Sequence, residues 1–141
     1  MNYLVVCTGN ICRSPMAEAI LADRLPAGNA VRSAGVMAQS GREASENARL
    51  ALAEIGLAPR SRGEQIEAGH VRWADLILCM EYGHRDAVVA RLPEANGKAV
   101  LLGRWAGEPD CEIPDPYGGT IEEYRATRDE IRRLIEKAVK R

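Results

Sequence analysis

Near the start of the chain a cysteine is followed, after five intervening residues, by an arginine: Cys7-Thr8-Gly9-Asn10-Ile11-Cys12-Arg13, with Ser14-Pro15 directly behind. A thiol is a potential nucleophile, and the residues after it suit an oxyanion. Gly9 and Asn10 tolerate positive φ, so that successive backbone N–H groups can turn inward as a nest around a tetrahedral anion. Ser14 is expected as the N-cap, and Pro15 as the first residue, of a helix whose positive end faces the same point. Arg13 adds a planar fork able to bind two oxygens. At the bottom of such a cradle the Cys7 thiolate would be stabilised by the same N–H groups, by Arg13 and by the Ser14 hydroxyl. A nucleophile beneath a phosphate site is the arrangement of covalent phosphoryl transfer. The leaving group then needs a proton, and Ile113-Pro114-Asp115-Pro116-Tyr117 offers an acid in a stiff loop. Each proline biases its predecessor toward extended backbone, which makes Asp115 the candidate general acid. As an isolated dipeptide, Asp-Pro reads equally as a turn starter.

The elements that must position these residues follow from hydropathy. Tyr3 to Val6 and Leu76 to Met80 are short unbroken apolar runs, the pattern of strands buried on both faces of a parallel sheet. Ala30 to Ala34 and Ala99 to Leu102 are weaker strand candidates. Helical faces lie between them: Ala17, Ile20, Leu21 and Leu25 share one, and Ala48, Leu52 and Ile55 share another before a stop at Gly56. A last helix is expected to open at Thr120, in a capping box with Glu123, and to run through Ile121, Tyr124, Ile131, Leu134 and Ile135. Alternating strands and helices predict an α/β fold: a single doubly wound domain over residues 1–141, with a central sheet of about four parallel strands flanked by helices. In such a sheet ligands bind at the carboxyl ends of the strands, where Cys7 stands.

Composition narrows the function classes. The 141 residues are 46% hydrophobic and carry 19 Lys+Arg against 20 Asp+Glu, a formal charge of -1 that lacks the basic excess of a nucleic-acid or membrane-surface binder. Cysteines at 7, 12, 79 and 111 show no disulfide framework, no secretory leader precedes them and no run approaches a membrane span, so a reducing cytoplasm is expected. A nucleotide-binding loop would need G-x-x-x-x-G-K-[ST], whose second glycine and lysine are missing. A metal site would want C-x2-C pairs or clustered histidines, but the spacing is C-x4-C and the histidines are His70 and His84 alone. Cys7 or Cys12 by itself would read as a small buried residue at a strand end; the full C-x5-R-S-P string behind a strand does not.

These residues resemble the low-molecular-weight protein tyrosine phosphatases. C-T-G-N-I-C-R-S-P at 7–15, S-A-G at 33–35, A-D-L-I-L-C-M-E at 74–81 and D-P-Y at 115–117 occur in that family's order and spacing across nearly the whole chain. The stretch from Gly97-Lys98 to Tyr117, with C-E-I-P-D-P-Y, is most similar to the bacterial branch that works with tyrosine autokinases of exopolysaccharide or capsule export. The resemblance implies a phosphatase I-like fold, no metal or organic cofactor, and a phosphotyrosine protein as substrate, such as an autophosphorylated tyrosine kinase, with inorganic phosphate as product. It further implies that Cys7 attacks phosphorus, that Arg13 and the loop amides from Thr8 through Gly9, Asn10, Ile11 and Cys12 to Ser14 bind the phosphoryl oxygens, and that Asn10 holds the loop shape. Ser14 would stabilise the Cys7 thiolate. Asp115 would protonate the leaving oxygen and later help water attack, and Tyr117 with Ile11 would wall the pocket. Cys12, a second thiol at the other end of the tight loop, is expected as the redox partner of Cys7.

The chain departs from the family in places. Where the family carries His-x-Ala-Arg, this chain has Ser61-Arg62-Gly63-Glu64; that histidine helps fix the loop asparagine, and Ser61 stands in its place. Gln39 falls about where many members put an apolar or aromatic pocket wall, and Val36 replaces a frequent threonine. Three rivals remain. A thiol-linked arsenate reductase on this fold needs two further cysteines; Cys79 could be one, but Asp86 occupies the place of the other, and Pro15 replaces the usual glutamine. A phosphoarginine phosphatase carries threonine in place of Ile11, and the bulkier Ile11 favours a phenyl phosphate. A non-catalytic phosphate-binding module would need neither Cys7 nor Asp115.

Overall fold

The computed structural model describes residues 1–140. Four parallel strands, β1 (Asn2–Cys7), β2 (Ala30–Gly35), β3 (Leu76–Cys79) and β4 (Ala99–Leu101), form one sheet in the order β2-β1-β3-β4. The helices are α1 (Arg13–Arg24), α2 (Glu46–Ala53), α3 (Ala68–Trp73), α4 (Tyr82–Arg91), α5 (Leu102–Trp105) and α6 (Ile121–Val139), with a 3-10 turn at Pro93–Ala95. The chain leaves β1 toward one sheet edge and returns past it to the other, so the strand order reverses beside β1, and the crevice at its carboxyl end is the expected ligand position.

The unbroken apolar run of β1 is explained by burial on both faces. Tyr3, Val5 and Cys7 point into a core shared with Met16, Ile20 and Leu21 of α1, Leu52 of α2, and Tyr124, Ile131 and Leu134 of α6. Leu4 and Val6 point to the opposite layer with Val71, Ile77, Cys79 and Val88. Burial of each such side chain contributes about 1.5–3 kcal/mol, so register is strongly fixed, and a slip of one residue would carry Cys7 to the wrong layer. The last helix opens after Thr120 as expected, the Thr120 hydroxyl accepting the Glu123 N–H at 3.3 Å, but the Glu123 side chain does not return a bond to the Thr120 N–H, so the cap is single and not a capping box. The helix is tied to the end of α2 through Glu54, which takes Arg128 at 2.6 Å and Arg125 at 2.6 Å; those two guanidiniums hold the Glu54 carboxyl down at about 2.

Some boundaries differ from expectation. Helix α1 starts at Arg13 with Cys12 in the cap position, so Ser14 is not the N-cap. Its hydroxyl is taken by Cys7 and Asn10 instead, and Pro15, third in the helix, loses nothing because first-turn N–H groups have no helical partner. The strand β3 stops at Cys79, and Leu102 opens α5 rather than ending β4. Ile55 lies past the end of α2, before Gly56 at φ 77°.

Candidate active site

The loop between β1 and α1 is shaped by where its carbonyl groups go. Cys7 O accepts from Val36 N–H at 3.0 Å, Thr8 O from Met37 N–H at 2.8 Å, and Ile11 O from Ser45 N–H at 2.7 Å. With these oxygens tied to surrounding chain, the amides of Gly9 through Ser14 donate to no protein acceptor among the described residues. The left-handed turn this requires falls on Asn10, at φ 56°, and not on Gly9. Asparagine tolerates that region better than other non-glycine residues. The neighbouring strand end must be glycine: a Cβ on Gly35 would stand 2.5 Å from Thr8 O and 2.9 Å from Asn10 N.

Asn10 is fixed at both ends. Its Oδ1 accepts the Glu64 backbone N–H at 2.9 Å, which orients the amide so that Nδ2 donates to Ser14 Oγ at 2.7 Å. Because Ser14 Oγ is already accepting, its own hydrogen is free to point to Cys7 Sγ, 3.0 Å away. Ser61, expected from the resemblance to stand where a histidine would support Asn10, has a different partner: with Ser33 it donates to the buried Glu18 carboxylate at 2.9 and 2.7 Å, and burial raises the Glu18 pKa. The support of Asn10 thus comes from a main-chain group. The Glu64 side chain is itself held by His70 Nε2 at 2.8 Å, a contact that lowers the Glu64 pKa.

Arg13 is 1% exposed. Its Nη1 pairs with Glu81 and donates to Ile113 O at 2.8 Å, and its Nη2 reaches Thr8 Oγ1 at 3.4 Å. Nε, also buried, has no protein partner among the described residues. Glu81 and His84, at the start of α4, were missed from sequence as parts of this site. They form a reciprocal cap in which His84 Nδ1 accepts the Glu81 N–H at 3.1 Å, leaving the proton on Nε2 to donate to Thr8 Oγ1 at 2.8 Å. Burial, and then the nearby Arg13 charge, lower the His84 pKa and keep the ring neutral. The Glu-x-x-His spacing directly after an apolar strand was the available signal.

A cavity of about 170 Å³ opens over this loop, lined by Cys7, Thr8, Gly9, Ile11, Cys12 and Arg13 from below and by Asp115, Tyr117 and Arg42 at the mouth. Asp115 Oδ2 lies 3.6 Å from Arg13 Nη2, while Oδ1 accepts the Tyr117 N–H at 3.0 Å. The carboxylate therefore closes its own turn and also reaches the cavity. Tyr117 is 55% exposed. Gln39, expected on the pocket wall, is exposed and does not line the cavity. The turn through Gly41, at φ 84°, brings Arg42 there instead. Cys12 packs behind the loop, with Sγ 3.2 Å from Tyr124 Oη and 3.4 Å from Ser45 Oγ; burial pushes its pKa up.

Known proteins are similar to this chain in sequence and fold. A protein-arginine-phosphatase from Geobacillus stearothermophilus is 46% identical over 96% of this chain and 92% of its own. The low molecular weight protein-tyrosine-phosphatase Etp of Escherichia coli K12 is 40% identical over 99% and 93%. Among solved structures, the arginine phosphatase YwlE, as a mutant with a phosphorylated active-site serine, superposes with a TM-score of 0.95 at 32% identity, over 99% of this chain and 94% of that one. The family model described as low molecular weight phosphotyrosine protein phosphatase matches residues 2–141, and the chain belongs to that family.

Proposed function

We propose that residues 1–141 act as one phosphatase domain that hydrolyses phosphotyrosine in proteins through a cysteinyl-phosphate intermediate. The observation that carries this reading is the buried, unpartnered Nε of Arg13 beside a ring of free loop amides, with Cys7 in the same cavity. A buried donor without an acceptor costs about 1–3 kcal/mol, and the phosphoryl oxygens supply the acceptor. In the first step Cys7 Sγ forms a bond to phosphorus as the bond to the tyrosine oxygen breaks, and Asp115 gives that oxygen its proton. In the second, a water oxygen bonds to phosphorus as the P–S bond breaks, Asp115 takes the water proton, and Cys7 leaves as thiolate with inorganic phosphate as product. The Ser14 hydroxyl stabilises the thiolate at both ends of the cycle. Ile11 and Tyr117 flank the substrate ring. The family resemblance supports a cytoplasmic setting and an autophosphorylated tyrosine kinase as the protein partner; none of the described helices is long and apolar enough to cross a membrane.

A second reading, phosphoarginine hydrolysis, is favoured by the relatives named as arginine phosphatases. Against it stands Ile11, a branched apolar side chain on the cavity wall that suits a phenyl ring better than a charged guanidine. Turnover of p-nitrophenyl phosphate, phosphotyrosine, phosphoserine and phosphoarginine by one preparation decides between them. Phosphotyrosine preferred over phosphoarginine is the expected result; the reverse order would replace the first reading with the second.

The role of Asp115 has its own test. Asp115→Asn keeps a side chain able to accept the Tyr117 N–H but cannot donate an acidic proton. Phosphotyrosine turnover should fall ~10²-fold or more, the usual scale of general-acid help, with a steeper dependence of rate on leaving-group pKa. A Brønsted plot of aryl phosphates with unchanged slope would make Asp115 a turn residue only.

Cys12 serves as the resolving thiol. Mild peroxide should convert Cys7 to a sulfenic acid and then, with loss of water, to a Cys7–Cys12 disulfide that a dithiol reduces. Peptide mapping that finds Cys7 only as sulfinic or sulfonic acid, with Cys12 free, would refute this.

A further inference from the structure

Arg42 differs from the other charged groups at the cavity mouth. Its guanidinium is exposed and makes no hydrogen bond or ion pair with any described residue, whereas Asp115 opposite contacts Arg13 and Tyr117. Its backbone is held firmly: Gly63 N–H donates to Arg42 O at 2.7 Å, and Gly41 N–H to Gly63 O at 2.9 Å. This strap joins the cavity rim to the 60–63 segment, where three more arginines gather. Arg62 donates to Gly41 O and to Glu43, both at 3.2 Å, and Arg49 reaches Glu43 at 3.1 Å. Beyond them a shallow concavity of about 340 Å³ is lined by Glu43, Arg49, Arg60, Ser61 and Arg62. Arg60 is exposed and, like Arg42, has no ion-pair partner among the described residues. Glu64, the next carboxylate along, is engaged by His70 and Arg32.

We infer that Arg42, Arg62, Arg49 and Arg60 form a recognition strip for an acidic stretch of the phosphoprotein beside its phosphorylated residue. The inference rests on the phosphotyrosine reading and adds a substrate class to it. Arg49 and Arg62 share one carboxylate, Glu43, and the Arg60 charge acts on the buried Glu18, so four arginines face two carboxylates and the strip keeps a positive excess on a chain whose formal charge is -1. It starts at the rim of the cavity. With a phosphotyrosine seated below, a flanking segment leaves across Arg42, and carboxylates on it meet Arg42 and Arg60, which have no ion-pair partner among the described residues, and Arg49 and Arg62, which share Glu43. Exposed pairs are individually weak and screened by salt, so the strip selects among substrates without being needed for chemistry.

The test uses three phosphotyrosine peptides of one length, identical except that the flanking positions carry glutamate, glutamine or lysine. Values of kcat/KM are expressed relative to free phosphotyrosine on the same protein, so that any loss common to all substrates cancels. The glutamate peptide is expected to exceed the glutamine peptide about five- to tenfold at low salt, as two or three exposed ion pairs would give. The lysine peptide should fall below both, and the differences should close at high salt. Arg42→Glu and Arg60→Glu should each shrink the glutamate advantage, and together reverse it. Equal relative kcat/KM for the three peptides at low salt, or a glutamate advantage untouched by both charge reversals, would overturn the strip while leaving the phosphatase reading in place. Hydrolysis of phosphoarginine with none of the three peptides turned over would overturn both.

Discussion

Cys7→Ser is expected to lower kcat on phosphotyrosine by at least ~10⁴-fold, the order seen when a covalent nucleophile is removed, while the protein still folds. The serine hydroxyl is a far poorer nucleophile at neutral pH than a thiolate. The fold should tolerate the change because the new hydroxyl keeps a partner at the 3.0 Å Ser14 position and adds no volume to the packed end of β1. A thermal melt beside the kinetic assay separates the two effects. Substantial turnover by a folded Cys7→Ser protein would remove Cys7 from the mechanism.

Arg13→Lys is expected to cost ~10²–10³-fold in kcat, the scale of losing one preorganised donor to the transition-state charge. Arg13 has to satisfy Glu81, Ile113 O and the phosphoryl group together, through nitrogens that point in fixed directions. A single ammonium can stay with Glu81 or turn to the phosphate, but it cannot present a fork to both. The loss should therefore appear in kcat, with a weaker inhibition by inorganic phosphate. A lysine variant with near-normal kcat would mean that charge alone binds the oxygens and that the geometry around Nε has no role.

The sequence revealed this site to different depths at different residues. Cys7, Arg13 and Asp115 were legible because side-chain chemistry and spacing carry their signal, and the structure puts all three on one cavity. The parallel strands were legible from unbroken apolar runs, since both faces of the sheet are covered. The hold on Asn10 was not, because it comes from the Glu64 backbone N–H, a group that nearly every residue type offers. Ser14 reads as a cap in the sequence for a related reason: the same hydroxyl can serve a helix N–H or a thiol, and only the closed loop shows that Cys7 and Asn10 take it. Gln39 and Arg42 lie three residues apart in one turn, and the positive φ of Gly41 decides which of them meets the cavity.

The central claim is a covalent bond between Cys7 and phosphorus. Its most direct test is rapid acid denaturation of the protein during turnover of saturating phosphotyrosine, followed by phosphorus-31 spectroscopy and peptide mapping. The predicted result is a phosphorus bonded to sulfur, on the peptide that contains Cys7 and absent from Cys7→Ser. Inorganic phosphate formed at the full rate with no phosphorylated protein, or with phosphate on an oxygen or nitrogen of another residue, would contradict it.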